Sequence, residues 1–391
     1  MVSNELFLDI IESFMHDKPY NVPEDFQEVD KLFESAQEHK LTAALYEKLR
    51  CGGVWKQAAV HNVMSQVQRT DGFLDIYGKL CDAGVKPLVV KGIVCRNLYS
   101  KPDCRISADE DVLIRREEFA KCDEILLGEG YLRSDVDVEK LPQEIAYRHP
   151  QKGVYIELHL SLFAEESGAY GHLNKEFREV FEHCICEEIQ GKKIWTLCPT
   201  EHLFYLICHS FKHFLHGGFG IRQVCDMIMM AEHYGTQIDW LAIQKDLRRL
   251  NMEVYWNSLV QIGKDYLGFS YEKAGYPESM QEFEVDCGPM LDDLLDSGIY
   301  GASTMDRKHS SNMTLVAAER GKKNTAVSVG GSLFPSMEYM KSSFSWLKKY
   351  PWLLPAAYGI RIVRYLKTSK KESVQIGMER VELLRKYHII D

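Results

Sequence analysis

The chain has 391 residues and a formal net charge of −10, and such an acidic surface repels phosphate backbones, which argues against general nucleic-acid binding. Hydrophobic residues make up 45% of the sequence, as in folded globular proteins, and no long uncharged apolar run predicts a membrane span. The eleven cysteines include no CxxC pair, which indicates reduced thiols and predicts a cytoplasmic location.

The chain is long enough for two or three domains, and three regions differ in their patterns. Residues 1–84 carry apolar side chains at helical spacing, which predicts a helical N-terminal cap. Residues 85–195 are predicted to form a small α+β core. Residues 196–391 are predicted to form a helical C-terminal region, in which the polar and unperiodic stretch 303–332 predicts a long flexible loop.

Within the predicted core, short apolar runs that are typical of strands alternate with two helical patterns. The predicted strands are Pro87–Val90, Ala108–Ile114, Tyr131–Ser134, Glu144–His149 and Val154–Leu160. The predicted helices are Ile93–Tyr99 and Glu117–Leu127. This β-α-β-α-β-β-β order predicts an α+β fold class with one mixed sheet, preceded and followed by helical regions in the chain.

The second predicted strand carries the acidic triplet Asp109-Glu110-Asp111. Successive side chains of a strand alternate between its faces, so Asp109 and Asp111 point to the same side. Glu157 lies in a later apolar strand, where a carboxylate is costly to bury unless a cation pairs with it. Carboxylate oxygens are the ligands that Mg²⁺ prefers. The pattern predicts a magnesium site for phosphoryl or nucleotidyl transfer, and its alternative is a solvated strand end.

A second cluster of chemically active side chains lies in the first predicted helix of the C-terminal region. His209, His213 and His216 share one face of that helix. The stretch lacks the acid of an HExxH motif, which argues against zinc and leaves a wall of the active-site cleft or interdomain packing. In the next helix, the spacing of Arg222 and Asp226 predicts an ion pair on the helix surface, with a role in substrate binding as the alternative.

The motifs of the core, taken together, resemble those of the bacterial nucleotidyltransferase family 5, within the superfamily that has the DNA polymerase β-like fold. The family pattern is Lys-Gly after a strand, an arginine, two aspartates one residue apart, Gly-Tyr, and a strand with an acid and a histidine. In this chain the pattern falls on Lys91, Gly92, Arg105, Asp109, Asp111, Gly130, Tyr131, Glu157 and His159. The resemblance extends over about residues 60–370.

The resemblance implies a Mg²⁺-dependent enzyme that transfers a nucleoside monophosphate from an NTP, expected to be ATP. The acceptor is an unknown hydroxyl or phosphate on a small molecule, a sugar or a protein. Asp109 and Asp111 are expected to hold the metal ion, with Glu157 as a third ligand or as the base that takes the proton of an attacking hydroxyl. The candidate nucleotide-binding residues are Lys91, Gly92, Arg105 and His159.

Two features depart from the superfamily pattern. Lys91 and Gly92 replace the usual Gly-Ser or Gly-Gly turn, and 16 residues then separate the turn from the first aspartate. Glu110 replaces the usual apolar residue between the aspartates and is predicted to face the opposite side of the sheet. The alternative function is therefore a catalytically silent binding or regulatory module with the same fold. A phosphotransferase is a third candidate function, because paired carboxylates with Mg²⁺ serve phosphoryl transfer too.

Overall fold

The computed structural model describes residues 4–22, 29–138, 142–297, 305–320, 337, 340, 344–360 and 371–390. The chain divides into two compact units. Unit 1 consists of Met1–Cys208, Ile221–Gln244 and Val260–Phe283, and unit 2 consists of His209–Gly220, Lys245–Leu259 and Glu284–Asp391. The division into 1–84, 85–195 and 196–391 stays a prediction.

Unit 1 begins with four helices that precede the sheet in the chain. They are α1 (Asn4–Met15), α2 (Val29–Glu38), α3 (Thr42–Leu49) and α4 (Gly53–Asp82). In α1 the buried side chains Phe7, Ile10, Ile11 and Phe14 recur at helical spacing, so one face of this helix belongs to the core. The Trp55 indole donates a hydrogen bond of 3.0 Å to the Thr42 carbonyl and so joins α4 to α3.

Seven strands of the described chain form one mixed sheet. They are β1 (Leu88–Val89), β2 (Glu110–Leu113), β3 (Leu132–Arg133), β4 (Glu144–Arg148), β5 (Tyr155–His159), β6 (Ile185–Ile189) and β7 (Lys192–Thr196). Their order is β3-β4-β5-β2-β1-β7-β6. The pairs β2–β5 and β1–β7 are parallel, and the other neighbours are antiparallel. The predicted α+β class with a mixed sheet is confirmed.

The first five strands match the predicted ones, whereas the hairpin β6–β7 is an addition that the hydrophobic pattern does not predict. The reason is that both strands carry charged residues on their solvent side, as in ICEEI and KKIWT. Gln190 and Gly191, which join the strands, both have positive φ, at 50° and 73°. A two-residue turn of this kind matches the twist of a hairpin. The pair Gln190-Gly191 was therefore the sequence signal from which β6–β7 could have been predicted.

Three short helices accompany the sheet in the chain: α5 (Ile93–Arg96), α6 (Phe119–Gly128) and α7 (Val180–His183). The central strands β1 and β2 are buried along their whole length. His202, in the next helix, lies 2.9 Å from the Val90 carbonyl through Nε2 and 3.2 Å from the Thr196 hydroxyl through Nδ1. Burial lowers the pKa of His202 to about 4, so a neutral imidazole holds this helix against β1 and β7.

The later helices are α8 (Pro199–His216), α9 (Ile221–Tyr234), α10 (Trp240–Arg249), α11 (Glu253–Tyr266), α12 (Gly288–Asp296), α13 (Met305–Arg320) and α14 (Lys371–Lys386). None of the described helices combines the length and the apolar composition that a membrane crossing requires. Unit 2 has its own buried side chains. Tyr387 accepts a hydrogen bond of 3.0 Å from the Met290 amide and so ties the end of the described chain to α12.

Helix α13 corrects the prediction of a long flexible loop over residues 303–332. That prediction is wrong for Met305–Arg320, which are helical. Met313, Thr314 and Ala317 are buried, and the Thr314 hydroxyl donates to the Leu215 carbonyl. Because the first half of the helix is polar, the hydrophobic periodicity of the sequence does not reveal this short apolar stripe. Residues 303–304 and 321–332 lie outside the described residues.

Candidate functional site

The candidate site lies where strands β1, β2 and β5 run side by side. In the parallel pair β2–β5, Asp111 is opposite Glu157 and Leu113 is opposite His159. Strand β1 is antiparallel to β2, and the Val90 amide donates to the Asp111 carbonyl at 2.9 Å. The register therefore brings two carboxylates and an imidazole together, next to the turn that follows β1.

Asp111 is the central residue of this group. Its Oδ2 lies 3.0 Å from Lys91 Nζ, and its Oδ1 lies 3.1 Å from His159 Nε2. His159 Nε2 is also 3.9 Å from Glu157 Oε2, and Nδ1 is 3.8 Å from Glu144 Oε2. The side chains of Asp111 and His159 are only 3% and 5% exposed. Electrostatic interactions are strong in such a place, because little water screens them.

The raised pKa of Glu157 indicates that the carboxylates of this site carry more negative charge than the nearby Lys91 neutralises. Burial, together with the charges of Asp111, Asp109 and Glu144, raises the pKa of Glu157 to about 8, while Lys91 opposes this rise. A carboxyl in this state either keeps its proton or needs a cation beside it. A bound metal ion would supply that cation.

The donor atoms fit a divalent metal ion. One ligand atom each of Asp111, Glu157 and His159 lie within 4.8 Å of one another. Two carboxylates suit Mg²⁺, and the added imidazole also suits Mn²⁺. Asp109 precedes β2, is half-buried and acts on Glu157 through its charge. The structure thus brings Asp111 and Glu157 together and adds His159 to them, while the metal role of Asp109 stays a prediction.

The two departures from the superfamily pattern form a single structure. The carboxylate of Glu110, 5% exposed, accepts hydrogen bonds of 2.6 Å from the Ile93 amide and from Arg96 Nη1. Gly92 has φ +71°, and a Cβ on it would lie 2.0 Å from Glu110 Oε2. The Lys-Gly turn therefore needs its glycine for the conformation and also for the space that Glu110 occupies. Glu110 thus holds the turn that carries Lys91.

Arg96 completes this support and was missing from the predicted site residues. It is 1% exposed, its Nη2 donates to the Thr70 hydroxyl at 3.1 Å, and its Nη1 also contacts the Ser107 hydroxyl. Burial raises the pKa of Glu110, and the guanidinium of Arg96 opposes that rise. The sequence holds no signal for this pair, because its partners come from α4, from the loop before β2 and from β2 itself.

Arg105 forms a buried ion pair with Asp226 of α9. It is 3% exposed, Nε donates to Asp226 Oδ1 at 3.0 Å, and Nη2 contacts Asp226 Oδ2. The Tyr99 hydroxyl donates to the same carboxylate at 2.9 Å. Arg105 would have to exchange Asp226 for a phosphate group in order to bind a nucleotide. Its nucleotide-binding role stays a prediction.

The prediction of an Arg222–Asp226 ion pair on the helix surface is wrong as to the surface. Both residues are buried, at 9% and 3% exposure. Arg222 Nη1 donates to the Ile106 carbonyl, whereas Asp226 binds Arg105. Helical spacing alone brings the two residues to one face, but burial of that face gives each of them a partner from the loop before β2.

The three histidines of α8 belong to unit 2. His209 and His213 have their rings 4.5 Å apart, with their Nε2 atoms at 3.3 Å. Burial, together with the charges of Lys212 and Arg380, lowers the pKa of His216 to about 4. None of the three belongs to a metal-ligand group among the described residues. The described residues therefore give no support for a zinc site on this face of α8.

Comparison with known proteins gives one match. A family model described as uncharacterised nucleotidyltransferase matches residues 25–262, which is more than half of the chain. No curated protein and no solved structure matches the sequence. The matched range contains the whole seven-stranded sheet and every residue of the Asp111 group.

Proposed function

Because this chain belongs to the uncharacterised nucleotidyltransferase family, we propose that it transfers a nucleoside monophosphate from an NTP to a hydroxyl or phosphate acceptor. The observation that carries the proposal is the group of Asp111, Glu157 and His159 beside Lys91. We propose ATP as the NTP and Mg²⁺ as the metal ion. All eleven cysteines are free, which supports a cytoplasmic location.

Asp109, Asp111 and Glu157 would hold Mg²⁺, with His159 close enough to serve as a further ligand or to orient Asp111. When bound, the ion supplies neutralisation of the charge on the NTP phosphates as pyrophosphate leaves. Without a bound cation, at least one of these carboxyls keeps a proton at neutral pH. A metal ion would therefore also balance the negative charge of the three carboxylates.

The remaining residues serve the phosphates and the proton. Lys91 supplies a point charge at the turn after β1, where its ammonium group can donate to a phosphate oxygen. Gly92 would serve the nucleotide through the turn that it forms, because its conformation, with φ +71°, belongs to the turn that carries Lys91. Glu157 can accept the proton of an attacking hydroxyl once a bound metal ion has displaced the proton that this carboxyl otherwise keeps at neutral pH.

Calorimetric titration of each NTP in the presence of Mg²⁺ tests this proposal. We expect the wild-type protein to bind at least one NTP only when Mg²⁺ is present. We expect the Asp109→Asn/Asp111→Asn variant to lose this binding while it unfolds at a similar temperature. Equal binding by the variant would contradict the proposed site, and wild-type protein that binds no NTP would contradict the function.

Product analysis separates nucleotidyl transfer from phosphoryl transfer. The proposed reaction yields an adduct with a nucleoside monophosphate and releases pyrophosphate. A phosphotransferase instead yields a phosphorylated acceptor and releases a nucleoside diphosphate.

The pH dependence of metal binding gives a second test. Burial, together with Asp111, Asp109 and Glu144, raises the pKa of Glu157 to about 8, so this carboxyl carries a proton at neutral pH. Metal binding must displace that proton. Below pH 8 the association constant of Mg²⁺ should therefore rise by up to about tenfold per pH unit, and it should level off above pH 8.

Calorimetry at several pH values, in buffers of different ionisation enthalpy, measures both the affinity and the number of protons released. The matched variant is Glu157→Gln, which lacks the titrating group and should bind Mg²⁺ weakly with little pH dependence. A wild-type affinity that stays constant between about pH 6.5 and pH 8.5 would show that Glu157 is not a ligand.

The ion pair between Lys91 and Asp111 favours a second candidate function, a catalytically silent binding module. The ammonium group lies 3.0 Å from Asp111 Oδ2 and can neutralise this carboxylate without a metal ion. Such a protein would bind an NTP equally well in the presence of a chelator and would release no pyrophosphate. The same calorimetric titration, repeated with EDTA, distinguishes the two.

A further inference from the structure

Unit 1 contains a cavity of about 540 Å³ that none of the predicted site residues lines. Its walls come from the chain between α2 and α3, from α4, and from the residues just before Asp109. They include Lys40, His61, Asn62, Arg69, Ser107 and Ala108. The volume is in the range of small-molecule binding sites. We call this cavity the cap pocket.

The lining of the cap pocket is basic, although the whole chain has a net charge of −10. Lys40, His61 and Arg69 line it, and its described lining includes no Asp or Glu. Burial lowers the pKa of Lys40, and so do the nearby charges of Arg222 and Arg69, while the charge of Asp109 opposes them. Cations that repel one another in a partly buried place are stabilised by an anion between them.

Arg69, one of the cations of the cap pocket, is held in place by the protein. Arg69 Nε donates to the Ser65 carbonyl at 3.2 Å, and its Nη2 donates to Gln66 Oε1 at 3.2 Å. The same Gln66 oxygen accepts a hydrogen bond of 2.9 Å from the Ser107 amide. Through Gln66, helix α4 is fixed to the loop that leads into β2. Arg69 is therefore preorganised for a ligand at the edge of the acidic strand.

Lys40 has a backbone conformation that its residue type rarely adopts. Its φ is +51°, and its amide donates to the Gln37 carbonyl at 3.0 Å. At such a position after a helix, glycine or asparagine costs less free energy than lysine does. Strain of this kind is common at functional sites, where the side chain is needed at that place. The side chain of Lys40 lines the pocket and acts electrostatically on Asp109.

We propose that the cap pocket binds an anionic group, a phosphate or a carboxylate, of the acceptor substrate. This inference rests on the proposed nucleotidyl transfer. In that reaction Lys91 and Gly92 serve the NTP, and the acceptor still needs a site near the acidic strand. The cap pocket reaches Ala108, the neighbour of Asp109, and the charge of Asp109 acts on both Lys40 and Arg69, so an acceptor anchored there is held close to the start of the acidic strand.

The acceptor is then a small hydroxyl compound with a separate phosphate or carboxylate group. Its hydroxyl oxygen forms a bond to the α-phosphorus of the NTP, and the bond from that phosphorus to the β-phosphate oxygen breaks. Pyrophosphate leaves with the electron pair of that bond. The hydroxyl proton passes to Glu157. The anchored anion stays bound to Lys40 and Arg69 and does not react.

The test uses glycerol 3-phosphate and glycerate as probes of the two kinds of anion, with glycerol as the uncharged control. Ligand-observed NMR titration of the full-length protein without Mg²⁺ or NTP measures their binding. We expect at least one anionic probe to bind, and glycerol to bind at least tenfold more weakly. The probe that binds more tightly identifies the anion. No binding of either anion would overturn the proposal.

Three variants locate the binding. Lys40→Gln/Arg69→Gln removes both cations, and Ala58→Phe fills the pocket from α4 without a change in charge. Each should weaken probe binding at least tenfold. Lys56→Gln removes an exposed charge of the same helix and should leave probe binding unchanged. Probe binding that survives in both pocket variants would overturn the proposal.

Titration of the same variants with Mg²⁺ and ATP separates the acceptor from the nucleotide. We expect nucleotide affinity to change by less than about threefold in Ala58→Phe, which keeps every charge of the site. A loss of nucleotide affinity equal to the loss of probe affinity would assign the cap pocket to the NTP and overturn the acceptor proposal. The probe titration needs neither Mg²⁺ nor NTP. Its result therefore tests anion binding in the cap pocket separately from the proposed nucleotidyl transfer.

Discussion

Replacing Glu110 with alanine is expected to lower the free energy of unfolding by about 3–5 kcal/mol. The substitution leaves the guanidinium of Arg96 buried at 1% exposure without its carboxylate. It also removes the acceptor of the Ile93 amide, which Glu110 binds at 2.6 Å. A buried charge without its partner is far more costly than a lost surface ion pair, because little water can replace the missing group.

Urea denaturation at neutral pH measures this loss. The matched control is Glu165→Ala, which removes a carboxylate from an exposed ion pair with Arg116 and should change stability by less than about 1 kcal/mol. The double variant Arg96→Met/Glu110→Leu should recover part of the loss, since apolar residues of similar size can replace a buried ion pair. A Glu110→Ala protein as stable as the wild type would show that the pair does not support the turn.

Asp111→Asn is expected to weaken the binding of Mn²⁺, as a probe for the divalent ion, by about 100-fold or more. Loss of a residue that only supports a metal ligand costs 10–100-fold in affinity in other proteins, and a direct ligand should cost at least as much. Asp111 is the residue that contacts both Lys91 and His159, and it lies opposite Glu157 on β5. Its carboxylate is therefore the one that the other groups of the site surround.

Titration of Mn²⁺ by electron paramagnetic resonance measures this affinity directly. Glu144→Gln serves as the control, because this exposed carboxylate lies 3.8 Å from His159 Nδ1 and is outside the metal-ligand group. It should change the affinity less than tenfold. Asp109→Asn should have a smaller effect than Asp111→Asn. If Asp109→Asn weakened Mn²⁺ binding more than Asp111→Asn did, the metal ion would lie at the Asp109 end of the acidic strand, away from His159.

These two predictions concern opposite faces of the same short strand. Asp111 belongs to the face that holds the candidate metal ligands, whereas Glu110 binds Arg96 and the turn on the other side. The alternation of side chains along a strand separates the two tasks. A single four-residue strand thus carries the candidate metal ligand Asp111 on one face and the support of Lys91 and Gly92 on the other.

The sequence by itself determined the class of the fold and the position of the acidic strand. Short apolar runs and helical spacings are local patterns, so the order of the first five strands and of the two helices between them follows from neighbours in the chain. The side on which Asp111 and Glu110 point follows from the same local alternation. The family pattern is also local, because each of its motifs spans only a few residues.

Only the tertiary structure decided which residues become partners. His159 reaches Asp111 because β5 lies parallel to β2, although 48 positions separate the two residues. Arg105 pairs with Asp226 across 121 positions, which no spacing rule predicts. The cap pocket likewise needs Lys40 and Arg69 to meet the loop before β2. Such pairings depend on strand order and helix packing, and these come from burial of the whole core rather than from any one segment.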